Sequence, residues 1–494
     1  MKNQSLSLRH DSAFWQALFG ARSIAIIGAK DTPGTWGFDA LHAAVDSKKT
    51  DPERRVYPVN PSRDQLMGLT CYKTITDIPG PVELAVVVVP AKAAPQVFRQ
   101  AAEKGVKAVV IVSAGFAEVD AAGAALQEEI MDAAVQYNLH FVGPNCIGHA
   151  DFFTRVASAG LASTIPSGPV ALLSQSGTLS ASIMQTVTSR ALGLSKLVST
   201  GNEANIHLED CLEYLGDDPR TDIITCYIEG LRQGRRFYEI AREITKRKPI
   251  VVMKSGGTGE AAKAAHSHTG ALSGADAIYT AAFRQAGVIR AEDEEEMADI
   301  AQGLCFQPLP KGNRVAILTM GGGFGVVTSE ACEREGLAIT HLQDKTLKRL
   351  DGLLPARWNR GNPVDMVGLR PGAGDTTVPA CLHALLDDAN VDAVISLLPP
   401  NAGMFQEVMS LSPQKLKELY EENERAVDKL AGELKSTYGK PVYIISRFSF
   451  RGEPVKTGYV PTHQIPEYTH YRRGAKAIGR LVWYQHYLDT RMKQ

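Results

Sequence analysis

The chain has 494 residues, and its 53 Lys+Arg nearly cancel its 54 Asp+Glu. At roughly 150 residues per domain, this length predicts about three domains. Balanced charge argues against a polyanion-binding surface, so no nucleic-acid partner is expected, while 44% hydrophobic and 22% charged residues describe a chain able to bury a large core.

From the N-terminus, Val- and Ile-rich runs alternate with helical patterns. Ser23–Ala29, Arg55–Asn60, Leu84–Pro90, Ala108–Gly115 and His140–Asn145 read as strands, with helices over Ala91–Lys104 and Val119–Tyr137. Uninterrupted apolar strands separated by helices predict a parallel sheet covered on both faces. Residues 1–155 therefore read as a Rossmann-like domain. After a loop rich in Ser, Gly and Pro come the strands Val170–Gln175, Lys196–Thr200, Asp222–Gly230 and Pro249–Gly256, closed by a helix over Asp293–Gln302. They give a second α/β domain, 156–308. The acidic run Glu292–Glu296 suits the solvated start of that helix. The third domain, 309–494, contains strands over Arg314–Gly323, Val391–Pro400 and Pro441–Phe448. It ends in a helix near Tyr471–Leu488, where Ile478, Leu481 and Val482 have helical spacing.

No apolar run approaches the ~18 residues of a membrane span. The first twenty residues lack the apolar segment and cleavage site of a secretory signal. Seven cysteines stand singly, with no CxxC pair. These features predict a cytoplasmic protein with reduced thiols, no membrane partner and no metal site.

Three strand-to-helix turns carry small residues: Ile26–Gly37, Ser174–Ser180 and Thr319–Gly325. Such turns at the carboxyl ends of parallel strands bring backbone N–H groups and the positive helix end to a phosphate. The second and third echo one another, VALLSQSG against VAILTMGG. The first lacks a full GxGxxG, and the next strand ends in Pro58-Val59-Asn60-Pro61 rather than an acidic residue, which counts against NAD. Residues 264–274, AAHSHTGALSG, place His266 and His268 among small residues after a glycine-ended strand. A neutral imidazole there can attack a phosphoryl group, and Glu229, ending another strand, is placed to balance it. Two histidines two residues apart, with no further Cys or His nearby, make a poor zinc site. SQSGT lacks the partners of a serine nucleophile.

The ordered motifs SIAIIGAKDTPGTWG, YPVNP, VVVPA, VIVSAGFAE, GPNCIG, LLSQSGTLS, STGNEAN, CYIEG, SHTGALSG, GGGFGV and NPVD make the chain resemble the α-type chain of the NDP-forming acyl-CoA synthetases. The resemblance covers roughly residues 15–488. It implies a Rossmann-like CoA-binding domain followed by two flavodoxin-like domains of the succinyl-CoA synthetase type. It further implies that coenzyme A meets Gly28, Ala29, Lys30, Val59, Asn60, Pro61, Val89, Pro90 and Ser113. Asn145 and Asn202 would lie by the acyl group. His268 would carry the phosphoryl group, with His266 as the alternative, and Glu229 would stabilise it. Ser176, Gly177 and Thr178 would form one phosphate-facing helix start, and Gly322, Gly323 and Gly325 the other. No stretch resembles an ATP-grasp module. ATP/ADP and Mg²⁺ are therefore expected on a separate ATP-grasp β subunit, in an α2β2-type assembly, with a small carboxylic acid or acyl-CoA as substrate. Asn205 stands where many relatives have Asp, so a changed acyl pocket is expected. The segment 448–462 has no assignment. The alternative function is a non-catalytic acyl-CoA-binding regulator of the same fold.

Overall fold

The computed structural model describes residues 11–158, 165–256, 276–369, 376–398, 412–445 and 464–491. The chain divides into two compact units, Met1–Met297 and Ala298–Gln494. Among the described residues no helix is long and apolar enough to cross a membrane.

The first unit holds two main sheets. In the first, β1 (Ser23–Ile27), β2 (Arg55–Val59), β3 (Leu84–Val87), β4 (Ala108–Ile111) and β5 (Phe141–Val142) are all parallel, in the order β2-β1-β3-β4-β5. Every residue of β1, β3 and β4 is buried, as expected of strands covered on both faces. The helices are α1 (Ser12–Gly20), α2 (Trp36–Asp46), α3 (Ala94–Glu103) and α4 (Ala121–Tyr137). Side chains start three of them: Asp11 Oδ1 accepts the Phe14 N–H at 3.0 Å, Thr35 Oγ1 the Phe38 N–H at 3.4 Å and Asp120 Oδ1 the Gly123 N–H at 2.8 Å.

The second sheet contains β6 (His149–Asp151), β7 (Ser167–Ser174), β8 (Leu194–Ser199), β9 (Ile223–Ile228), β10 (Ile250–Lys254) and β11 (Ile289–Ala291), in the order β11-β10-β9-β7-β8-β6. Its helices are α5 (Gly177–Ser189), α6 (Leu208–Asp217), α7 (Gly234–Ile244) and α8 (Asp276–Ala286); α9 (Glu294–Phe306) begins in this unit and belongs to the second from Ala298 onward. Strand β6 is antiparallel to β8, although its residues read in the sequence as the end of the first domain. The buried Lys196 on β8 bonds Asp151 of β6 at 3.2 Å and Asp218 at 2.8 Å. Its ammonium also lies over the rings of Phe19 and Tyr214. Two carboxylates and two aromatic faces offset the desolvation of that one cation. At α9, Asp293 Oδ1 accepts the Glu296 N–H at 2.6 Å, and Glu296 Oε2 accepts the Glu292 N–H at 2.8 Å. The acidic run is thus a reciprocal cap, and Glu296 is buried within it rather than solvated.

In the second unit, β12 (Arg314–Thr319), β13 (Ala338–Ile339), β15 (Ala393–Ser396), β16 (Val442–Ile445) and β17 (Glu467–Tyr468) run in the order β13-β12-β15-β16-β17, while β14 (Val364–Asp365) pairs with the end of β12. Helix α10 (Gly322–Arg334) follows β12. The last helix, α11 (Tyr471–Arg491), buries Ile478 and Leu481 fully.

Setting β6 and β14 aside, each sheet has the order 2-1-3-4-5 counted from its own first strand. In such doubly wound sheets the strand order reverses between strands 1 and 3, and ligands bind at the carboxyl ends there. Each of the three small-residue turns follows strand 1 of its sheet: β1, β7 and β12. The echo between the second and third turns reflects equivalent positions in equivalent sheets.

Candidate active site

A cavity of about 880 Å³ opens in the first unit, at the upper end of the range for small-molecule sites. Val89, Ser113 and Asn145 line it from the first sheet, and Ser176, Gly177 and Thr178 from the start of α5. Asn202 contributes from the turn after β8, and Trp36, Asp39 and His42 from one face of α2. Seven of the residues implied by the resemblance therefore meet in one place.

The other residues assigned to coenzyme A do not line this cavity. The backbone N–H groups of Gly28 and Ala29 donate to Val59 O at 2.9 and 3.3 Å. Asn60 Nδ2 donates to Ala29 O at 2.9 Å, binding the ends of β1 and β2 together. Gly28 has φ +93°, and a Cβ there would run into the Val88 carbonyl, so this turn needs glycine. Lys30, Pro61 and Pro90 are exposed. Ser113 Oγ donates to Val89 O at 2.5 Å, joining the ends of β3 and β4.

Helix α5 begins with Ser176 as N-cap, its Oγ accepting the Leu179 N–H at 3.4 Å. The N–H groups of Gly177 and Thr178 have no intrahelical acceptor and lie at the cavity, which makes this end suited to an anion. Gly177 also lets Ile147 approach: a Cβ there would sit 2.7 Å from Ile147 Cγ2.

Glu229 follows β9 directly and is 7% exposed. Gln175, which the sequence reading did not single out, braces it. Gln175 Oε1 accepts the N–H groups of Glu229 at 2.6 Å and Gly230 at 3.1 Å, and its Nε2 donates to Gly230 O at 2.7 Å. One amide thus joins the turn before α5 to the end of β9. A glutamine preceding the Ser-Gly helix start was the available signal.

The same amide meets Glu203, another residue the sequence reading passed over. Burial, then the neighbouring Glu209, pushes the Glu203 carboxyl up to about 7, although Gln175, Thr200 and Arg232 oppose the shift. Thr200 Oγ1 donates to Glu203 Oε1 at 2.8 Å. A raised carboxyl holds its proton more tightly in the folded chain than in the unfolded one. Stability conferred by Glu203 is therefore full below about pH 4.5 and is lost as pH rises through about 7. Glu203→Gln is expected to remove a decline on the order of 3 kcal/mol across that window. Urea unfolding of both proteins at pH 5 and pH 8 checks this, and parallel pH profiles would contradict it.

Asn205 does not line the cavity. Its Oδ1 accepts the Phe141 N–H at 3.0 Å at the start of β5.

In the second unit, Gly321 is the N-cap of α10, and Gly322, Gly323 and Gly325 form its first turns. A Cβ at Gly323 would meet open space, whereas Gly325 packs on Pro363. Asn362 explains the NPVD motif. Its Oδ1 accepts the Ile317 N–H at 2.9 Å, and its Nδ2 donates to Val315 O and Thr340 O at 2.8 and 2.9 Å. A side chain thereby performs strand pairing beside β12. His266, His268 and the segment 448–462 lie outside the described residues.

Comparison with known proteins defines the class. Residues 22–151 match the CoA binding domain family and residues 167–304 the succinyl-CoA ligase like flavodoxin domain family. The chain therefore contains a CoA-binding domain followed by a ligase-type flavodoxin domain. It is 40% identical over 388 residues to the acetate–CoA ligase [ADP-forming] II subunit alpha of Pyrococcus furiosus, covering 78% of this chain and 83% of that one. It is 38% identical over 391 residues to acetate–CoA ligase [ADP-forming] I of Archaeoglobus fulgidus, covering 79% of this chain and 55% of that one. The solved structure of a Ca. Korarchaeum cryptofilum dinucleotide forming acetyl-coenzyme A synthetase 1, in complex with phosphate and ADP, matches with a TM-score of 0.82 at 29% identity, covering 97% of this chain and 99% of that one. The chain belongs to the ADP-forming acetate–CoA ligase family. It spans most of the α-subunit relative and about half of the Archaeoglobus one.

Proposed function

We propose that this chain is the α-type part of an ADP-forming acyl-CoA synthetase, catalysing carboxylate + CoA + ATP ⇌ acyl-CoA + ADP + phosphate. The observation that carries the reading is the cavity that brings the carboxyl ends of the CoA-domain strands up to the open N–H groups of α5. A phosphoryl group at that helix start is stabilised by fixed dipoles. In the proposed sequence His268 receives the phosphoryl group from ATP, and the substrate carboxylate takes it to give an acyl phosphate. The CoA thiolate then attacks the acyl carbon, the carbon–sulfur bond forms, and phosphate leaves with the electrons of the broken carbon–oxygen bond. Glu229, braced by Gln175, stabilises the phosphohistidine. ATP and Mg²⁺ reside on an ATP-grasp partner, in an α2β2-type assembly in the cytoplasm. The domain limits 1–155, 156–308 and 309–494, with β6 serving the second sheet from within the first segment, divide these tasks between CoA and two phosphate-handling helix starts. The ligase names of the relatives favour catalysis over a regulatory role.

The test is reconstitution. The chain, an ATP-grasp β subunit, acetate, CoA and ATP are expected to give acetyl-CoA and ADP in equal amounts, with neither formed when the chain is omitted. ADP release without thioester would contradict the proposal.

A further inference from the structure

We propose that Glu118, with Gln127, is a positioning residue that sets which face of the Asn145 amide meets the acyl group; this rests on the reading of Asn145 as lying beside that group. Glu118 sits in the loop after β4. Its Oε1 accepts the N–H groups of Gly115 at 2.6 Å and Phe116 at 3.1 Å. Its Oε2 accepts Asn202 Nδ2 at 2.5 Å, and Gln127 Oε1 on α4 accepts the same nitrogen at 3.1 Å. The bonds from Asn202 and from the two backbone N–H groups favour the ionised carboxyl against its burial and hold it below the usual range.

A carboxylate only accepts hydrogen bonds. Asn202 must therefore turn its NH₂ toward Glu118 and Gln127 and its Oδ1 the other way. That Oδ1 accepts Asn145 Nδ2 at 3.2 Å. The backbone of Asn202 is held as well, its N–H on Pro144 O and its carbonyl on Arg232 Nη2, both at 2.9 Å. Asn145 in turn is fixed at φ +58° with its N–H on Ser113 O. Only the orientation of its amide is left to choose, and Glu118 chooses it through Asn202. The outcome leaves Asn145, in the cavity wall, with a second Nδ2 hydrogen to give to the carbonyl oxygen of a thioester or acyl phosphate. CoA itself has no such oxygen at its thiol, so the relay distinguishes acyl-CoA from CoA.

Glu118→Gln keeps the size of the side chain. Its Oε1 can still serve Gly115 and Phe116, but an NH₂ then faces Asn202. The Asn202 amide then turns, the Gln127 amide turns to present its NH₂ to it, Asn145 turns as well, and the donor toward the acyl oxygen is lost. Calorimetric titration of the whole chain with acetyl-CoA and with CoA tests this. In Glu118→Gln, acetyl-CoA is expected to bind roughly tenfold more weakly, with CoA changed by less than about twofold. Adding Glu118→Gln to Asn145→Ala is expected to cost nothing further, because both act on one bond. Gln127→Leu, which removes only one of the two acceptors, is expected to shift acetyl-CoA in the same direction by about threefold, and it stands in if Glu118→Gln does not fold. Equal weakening of CoA and acetyl-CoA, or full additivity with Asn145→Ala, would show a merely structural role and overturn the proposal. If the unaltered chain binds CoA and acetyl-CoA equally, the reading of Asn145 fails and the relay fails with it. If it discriminates and Glu118→Gln discriminates as well, the relay alone is wrong.

Discussion

With His268 replaced by Ala, the chain is expected to take up no phosphoryl label from γ-labelled ATP in the presence of an ATP-grasp partner. The unaltered chain is expected to carry an acid-labile, base-stable label. A neutral imidazole is a competent nucleophile at physiological pH, but its phosphorylated form brings extra negative charge that needs fixed positive ends nearby. Helix α5 has an end of this kind: Ser176 caps the Leu179 N–H, leaving the N–H groups of Gly177 and Thr178 for an anion. His266→Ala is expected to retain the label. Label kept in His268→Ala and lost in His266→Ala would move the assignment by two residues. Label kept in both would remove phosphohistidine from the mechanism.

Gly201→Ala is expected to be the most damaging single-methyl change around the cavity. Gly201 has φ +58°, and a Cβ there would sit 2.5 Å from Asn145 O and nearer still to Pro144 O. These are backbone atoms, so no rotamer relieves the clash. The turn after β8 and the segment after β5 would have to part, and the Asn145–Asn202 bond would part with them. The left-handed conformation alone costs Ala about 1–2 kcal/mol, and the displaced backbone should raise the loss to about 4 kcal/mol. Gly105→Ala is the control. Its φ is +78°, but a Cβ there would meet open space, so about 1 kcal/mol is expected. Urea midpoints of the two variants check this. Equal losses would mean that the close approach at Gly201 carries no energy.

Much of this architecture can be read from the sequence because buried parallel strands must be apolar on both faces. SIAII, LAVV and AVVI need no alternation, and all are fully buried. Small residues after strand 1 of each sheet were equally legible, since few other residues permit a helix to start there at a ligand. Less was legible where a polar side chain takes over a task of the backbone. Asn362 pairs with β12 in place of a strand, and Gln175 clasps the end of β9. Neither role has a periodicity to reveal it. Glu118 stood within VIVSAGFAE as one letter of a motif; its significance depends on a residue 84 positions away. Asn205, only three residues from Asn202, ties the start of β5 instead of lining the cavity.

Strand β6 bears on how the chain can be divided. It closes the edge of the second sheet with residues that precede that sheet's first parallel strand by some fifteen positions. A fragment starting near Pro166 would contain every parallel strand of the sheet, yet β8 would present an open row of backbone donors and acceptors. Lys196 would keep Asp218 and lose Asp151. Such an edge invites strand addition from a second copy. Autonomy of the flavodoxin-type domain thus depends on a short strip borrowed from upstream, and anyone excising or transplanting it must take His149–Asp151 along.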